Sequence, residues 1–116
     1  MQTSYFTEKP SHVIECIDRL KALRGVKGVV VATIEGVVLE HYLSDELRTQ
    51  DDTPTLDLAA QKIANLASPA LPSIRSAVAS MDPNDEVYFV RVRTRRYEIL
   101  LYPQGEYVLM ALQDPK

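Results

Sequence analysis

The chain offers few side chains that could carry out acid–base or nucleophilic chemistry. Among its 116 residues are two histidines, His12 and His41, and one cysteine, Cys16. No nucleophile has a base beside it, and Cys16 borders the apolar positions of a helical pattern, where cysteine usually fills a core. No glycine-rich turn between a strand and a helix offers a phosphate site. We therefore predict that the protein is not an enzyme and uses no cofactor.

The acidic residues between 44 and 57 are the other candidates for a polar site. They lack the alternating spacing and central glycine of a calcium loop, so we interpret them as solvated and predict no metal site. Together with His41 and Tyr42, they are the basis for an alternative, an enzyme or ligand sensor on a profilin-like or PAS-like fold. These acidic residues are Asp45, Glu46, Asp51, Asp52 and Asp57.

Arginines form the clearest charge pattern. Arg91, Arg93 and Arg95 alternate along one predicted strand, and Arg96 follows in the next turn. Alternate residues of a strand share a face, so these side chains would form a ridge on the sheet. The ridge either protects an exposed edge against strand-on-strand aggregation or docks an acidic segment of a partner, and both interpretations stay open. A net charge of −3 argues against nucleic acid as the partner.

Hydrophobic periodicity predicts the elements that would position these residues. The predicted order is α-β-β-α-β-β-β: a helix over about 10–24 that ends at Gly25, a hairpin within 28–43 that turns at Glu35-Gly36, a surface loop over 44–55, a helix over about 56–81, and strands over about 86–93, 97–102 and 106–113. The last two strands carry apolar side chains on both faces, so the sheet needs a covering layer on each face. The predicted fold class is α/β, with a five-stranded, mostly antiparallel sheet and helices on both faces.

The second predicted helix has two unusual features. Pro69 and Pro72 each remove a backbone donor, yet the apolar stripe keeps its phase across them, which predicts a kink or two helices in near alignment. Alanine and serine lie on more than one side of the helix, and small side chains let two helix axes approach closely. Because the sheet can cover only one side, we predict that this helix packs against its counterpart in a second copy of the chain.

Length and composition fit a single domain over 1–116, with 1–9 as a flexible N-terminus. The 46% hydrophobic content suffices for two sheet faces and a dimer surface. The chain shows neither a signal-peptide pattern near its start nor an apolar run that could cross a bilayer, and a lone cysteine suits a reducing compartment. These features predict a cytoplasmic protein that binds neither a membrane nor a small-molecule substrate.

Several strings, in their order and spacing, resemble the roadblock family of dynein light chains. The longest is VRVRTRRYEIL over 90–100, and the similarity covers nearly all of the chain from Val13 onward. The chain departs from the family pattern in a longer 44–55 loop and in the two prolines of the second helix. The other matching pieces are residues 23–31, Glu35-Gly36, residues 81–85, Pro103, residues 106–109 and residues 113–115.

The resemblance implies a non-enzymatic subunit that forms a homodimer or a family heterodimer. As a light chain of the cytoplasmic or axonemal dynein motor, such a subunit would bind a segment of the dynein intermediate chain. It would then act on the microtubule cytoskeleton, including that of the cilium. Related domains act as scaffolds for small Ras-like GTPases, and this is the alternative function.

The resemblance also implies where partners would bind. The dimer surface would lie on the second helix and the third strand, and the partner segment would lie near the first helix. The implied dimer residues are Ala60, Ile63, Ala67, Leu71, Ile74, Val87, Phe89, Arg91 and Arg93, and the implied partner-binding residues are Val13, Ile17 and Leu20.

Overall fold

Five strands form one antiparallel sheet in the computed structural model of the chain, which describes residue 15 and residues 17–20, 22–47 and 58–115. The sheet, with helices against it, confirms the predicted α/β class, and all its strand pairs are antiparallel. The predicted flexible segment 1–9 and residues 48–55 of the predicted loop lie outside the described residues. The strands are β1 (Val26–Thr33), β2 (Val38–Leu43), β3 (Val90–Arg93), β4 (Glu98–Gln104) and β5 (Tyr107–Gln113), in the spatial order β2-β1-β5-β4-β3.

A single long helix, Leu58–Met81, covers one face of the sheet. Its buried side consists of alanines and two larger side chains, Ile63 and Leu71. Pro69 and Pro72 lie inside this helix, so the prediction of two aligned helices is wrong. Both prolines are exposed, where water can bond the carbonyls that lose an amide donor, and burial of the opposite side stabilises the helix.

The first helix lies on the opposite face of the sheet. Its described residues, 15 and 17–20, are helical, and Ile17 packs against Val29 of β1. Turns follow from residue 22 because the chain must reverse into β1 at Val26, so the helix stops short of its predicted end. The helices of the described residues are too short or too polar to span a bilayer. The sheet is thus covered by one layer on each face, as predicted from the apolar side chains on both faces of its strands.

β1 lies inside the sheet and is buried on both faces. Val29 and Val30 are fully buried although consecutive strand residues point to opposite sides. The predicted turn to β2 falls at Glu35-Gly36, where Gly36 has a φ of +103°, a conformation that favours glycine. The turn is held on the long helix because Gln61 Nε2 donates a hydrogen bond to the Gly36 carbonyl at 2.9 Å.

β3 begins later than the strand predicted over 86–93. It pairs only with β4, from Val90 opposite Leu101 to Arg93 opposite Glu98. The segment before it, residues 86–89, has no strand partner among the described residues.

Pro103 in β4 explains the late start of β3. The Thr94 amide donates to the Tyr97 carbonyl at 2.8 Å, which closes the hairpin between the two strands. From there, every second residue of β4 forms backbone hydrogen bonds with β3, and Pro103 occupies one of these bonding positions. Tyr88 would lie opposite Pro103, but proline has no N–H to donate to it, so the ladder ends before that position.

Lys27 joins three segments of the chain. It lies at an irregularity of β1, where the register against β5 shifts between Val26 and Gly28. Its ammonium is 2.6 Å from Glu46, which lies in a short 3-10 helix, and 3.8 Å from Asp114, which follows β5. The hydrogen bond to Glu46 raises the pKa of Lys27 above its ordinary value of 10.5, and the charge of Asp114 acts in the same direction.

We expect Lys27→Met to lower the melting temperature at neutral pH and to matter less in alkali. Because folding raises the pKa of Lys27, its stabilisation is complete below the ordinary pKa and is lost as the pH rises through the raised value. Melting curves recorded between about pH 7 and about pH 11.5 should therefore converge for the two chains. Lys62→Met is the control, since Lys62 has no ion pair among the described residues. A gap in melting temperature that stays constant with pH would contradict this role.

Candidate docking site

The residues predicted for chemistry do not converge on a site. His41 and Tyr42 are neighbours in β2, so their side chains leave opposite faces of the sheet. Neither lines the two clefts described below. Within residues 15, 17–20, 22–47 and 58–115, no group of histidine, cysteine or carboxylate side chains is arranged to hold a metal ion. His12 and Cys16 lie outside the described residues.

Two arginines lie on β3 and two in the turn that follows. Arg91 and Arg93 are exposed and share one face of the strand. Arg95 and Arg96 lie in the turn, so the predicted row of three arginines on the strand is wrong. The strand ends at Arg93, where its end was predicted, and Arg95 falls beyond it because the hairpin to β4 closes at Thr94.

Arg91 is positioned by Glu98, a buried carboxylate of β4. Glu98 Oε1 accepts a hydrogen bond from Gln113 Nε2 at 2.9 Å, and Glu98 Oε2 lies 3.5 Å from Arg91 Nε. A buried carboxylate needs such partners, and here one of them is a cation. The Arg91 side chain remains 60% exposed, so its guanidinium is oriented by Glu98 and still accessible to a partner.

The outer edge of β3 is open, since no strand among the described residues pairs with it. Ladder bonds alternate along an antiparallel strand, and those of Val90 and Val92 run toward β4. The backbone groups of Arg91 and Arg93 therefore point away from the sheet. Such an edge, with apolar side chains beside it, readily pairs with another chain. The exposed large apolar side chains in β3 and directly before it are Tyr88, Phe89 and Val92.

The long helix turns the implied dimer residues toward the core. Four of them are at most 8% exposed and pack on the sheet, so they cannot form a dimer surface; they are Ala60, Ile63, Ala67 and Leu71. Ile74 and Val87 are half-buried, and Phe89, Arg91 and Arg93 are exposed. The positions of the helix that do face solvent include Leu66, Ser73, Ala77 and Met81.

The implied partner-binding residues of the first helix are also largely covered. Val13 lies outside the described residues, and Ile17 is 5% exposed because it packs against β1. Ile17 is therefore a core residue. Leu20 is half-buried and borders a groove on the same face of the sheet.

The described surface includes a cleft with charged walls and an apolar groove. The helix-end cleft, of about 670 Å³, lies between the long helix, the segment before β3 and the β4–β5 turn, and its walls carry Arg75, Asp85 and Glu86. The apolar groove, of about 200 Å³, lies on the face of the first helix. The sequence pattern does not predict it, because its walls come from distant parts of the chain. The apolar groove is lined by Leu20, Phe89, Leu100, Tyr102, Leu109 and Ala111.

Comparison with known proteins identifies the fold and the family. The sequence profile of the Roadblock/LC7 domain matches residues 13–114. The chain belongs to the roadblock/LC7 family. A Roadblock/LC7 domain from Streptomyces avermitilis has a TM-score of 0.65 to it at 18% identity, over 82% of this chain and 71% of that one.

Two MglB proteins share the same fold. MglB from Thermus thermophilus has a TM-score of 0.64 at 16% identity, over 90% of this chain and 72% of that one. MglB from Myxococcus xanthus has a TM-score of 0.63 at 15% identity, over 92% of this chain and 79% of that one. These similarities concern the fold. The roadblock/LC7 match spans both the open β3 edge and the apolar groove.

Proposed function

We propose that this roadblock/LC7 domain is a non-catalytic scaffold that forms a dimer and docks a small Ras-like GTPase. Family membership supports the scaffold role, because the resemblance that runs along the chain implies subunits that are held by other proteins. The surface supports it too: the described residues offer an open strand edge and an apolar groove, and the candidate catalytic residues His41 and Tyr42 diverge.

The open edge of β3 is the observation that carries the proposal. Among the described strands, β3 pairs only with β4, and the large apolar side chains of Tyr88 and Phe89 directly before it are exposed. A second copy joined edge to edge across a twofold axis would satisfy the outward backbone groups and cover these side chains. A family heterodimer would use the same edge. The dimer would then present the paired surface on which a GTPase docks.

A light chain of the dynein motor is the second candidate. It is favoured by the string over 90–100, which forms the β3–β4 hairpin and resembles the dynein light chains of the family. In this function the dimer binds a segment of the dynein intermediate chain. Either function would be exercised in the cytoplasm, and the dynein function would add the microtubule cytoskeleton.

A pull-down with nucleotide control separates the two functions. The tagged chain is incubated with an extract of the cells that produce it, to which either GDP or a non-hydrolysable GTP analogue is added. Mass spectrometry then identifies the proteins that the chain retains. We expect a small GTPase to be retained several-fold more in one nucleotide than in the other, because the switch segments of Ras-like proteins differ between the two states.

The other results of this pull-down assign the function differently. A dynein intermediate chain retained equally in both nucleotides, without a GTPase, would support the second candidate and overturn the first. The absence of both proteins would contradict both functions. A chain carrying Arg91→Pro, which blocks the edge of β3, tells whether retention needs the dimer.

A further inference from the structure

The two ends of β3 carry opposite charges. Asp85 and Glu86, the acidic end, precede the strand, and Arg95 and Arg96, the basic end, follow it. All four side chains are exposed, and none forms an ion pair with another described residue. Because the whole of β3 separates the two ends, their charges stay unpaired within one copy of the chain.

Local contacts hold both ends in place. At the acidic end, the Asp85 amide donates to the Asp82 carbonyl at 3.0 Å, and Asp85 Oδ1 accepts from the Glu86 amide at 2.8 Å. At the basic end, the Arg96 guanidinium lies 5.6 Å from the centre of the Tyr97 ring. Groups that are already ordered lose less conformational entropy when they meet a partner.

The acidic end lies in line with β3, beyond its first residue. Val90 pairs with Leu101 of β4, and residues 85–88 line the helix-end cleft together with residues 102–105, which follow Leu101. The segment before β3 therefore follows β4 without pairing to it. Arg75 is on the wall of the same cleft but forms no ion pair with the acidic end.

A twofold axis at the open edge brings the acidic end of one copy beside the basic end of the other. The backbone groups that point outward allow two registers centred on β3, with Arg91 opposite Arg91 or opposite Arg93 of the other copy. Counted along the edge, Arg96 then lies opposite Glu86 or opposite Tyr88. Tyr88 is two residues from Glu86, a spacing that long side chains reach between neighbouring strands.

The centre of this seam brings like charges together. Arg91 of each copy lies near the axis, and like charges on opposed strand residues destabilise the pairing. Glu98 Oε2, 3.5 Å from Arg91 Nε, offsets part of this repulsion. The attraction between acidic and basic ends opposes the remainder, and the axis makes this contact twice in each dimer.

We propose that Asp85 and Glu86 of each copy form ion pairs with Arg95 and Arg96 of the other copy when two chains join through the edges of β3. The inference rests on the dimer of the proposed function and adds the residues that select its register and partner. Complementary charges act mainly on specificity. A family heterodimer would accordingly need a second chain with acidic residues before its third strand and basic residues after it.

Exchange of charges between the two ends tests the proposal. One variant carries Asp85→Arg with Glu86→Arg, the other carries Arg95→Glu with Arg96→Glu, and sedimentation velocity measures their association. We expect each variant alone to dimerise at least tenfold more weakly than the native chain, because like charges then meet at both ends of the seam. An equimolar mixture of the two should form a heterodimer of nearly native affinity, since both contacts again join opposite charges. Higher salt should reduce these differences.

Two further chains control for net charge and for position. The chain with all four changes keeps the native net charge of −3 and should dimerise like the native chain. Glu35→Arg makes the same kind of change in the β1–β2 turn, on the side of the sheet away from β3, and should leave the dimer unchanged. Circular dichroism shows whether each variant is folded.

The contrary outcomes distinguish this inference from the dimer itself. A native dimer that tolerates both charge variants would overturn the ion pairs and leave the dimer standing. A mixture that associates no better than either variant alone would overturn them as well. A native chain that stays monomeric at every concentration would overturn the dimer of the proposed function together with the ion pairs.

Discussion

Chains with Leu71→Ala are expected to lose about 2–5 kcal/mol of the free energy of unfolding, because the change leaves a cavity between the long helix and the sheet. Leu71 is fully buried, and domains of this kind have only about 5–15 kcal/mol of stability in total. Urea titration followed by circular dichroism measures the loss. The resemblance implied that Leu71 belongs to a dimer surface, so this variant separates a core role from an interface role.

Leu66→Ala is the matched control for this loss. Leu66 lies in the same helix but is 45% exposed, and we expect its replacement to cost less than about 0.5–1 kcal/mol. If Leu71→Ala left the unfolding curve at low protein concentration unchanged and altered only the oligomeric state, Leu71 would be an interface residue after all.

Arg91→Pro is expected to raise the dissociation constant of the proposed dimer at least tenfold without unfolding the monomer, which loses only the ion pair with Glu98. The backbone N–H of Arg91 points away from β4, so proline removes a donor from the open edge and none from the ladder inside the sheet. In a twofold pairing each copy loses this donor, which doubles the effect. Sedimentation velocity over a concentration series measures the change.

Two further variants control for charge and for folding. Arg91→Gln removes the charge but keeps the N–H, and it should dissociate the dimer much less than Arg91→Pro does. Val92→Pro removes a bond to β4 and should destabilise the monomer as well, because the N–H of Val92 lies within the ladder. Equal dimerisation of Arg91→Pro and the native chain would show that the copies do not join through this edge.

The sheet was predictable because its strands carry apolar side chains on both faces. The valine run 29–31 can only be buried between two layers, and residues 29–31 of the structure are buried in this way. The long helix was predictable for the same reason, since its apolar stripe spans Pro69 and Pro72 without losing phase. These signals are local, and local periodicity is what a sequence displays most directly.

Which side of the long helix packs on the sheet and which faces solvent was not predictable from the sequence. Alanine packs as well against a sheet as against another helix, so the positions Ala60 and Ala67 fit a dimer surface and a core equally. Only the contact with β-strands far away in the sequence decides between them. The apolar groove has the same origin, because Leu20 and Phe89 are separated by most of the chain and meet only after folding.

Pro103 limits how far two copies could be joined. By ending the ladder before Tyr88, it leaves β3 with four residues, so a seam between two chains along this strand is short. When two copies pair along this short seam across a twofold axis, they use all of it. No part of the edge is then left for a third copy, so the assembly closes instead of extending into a fibre. A single missing amide hydrogen in β4 thus shortens the exposed edge of β3 and limits how many copies of the chain could join along it.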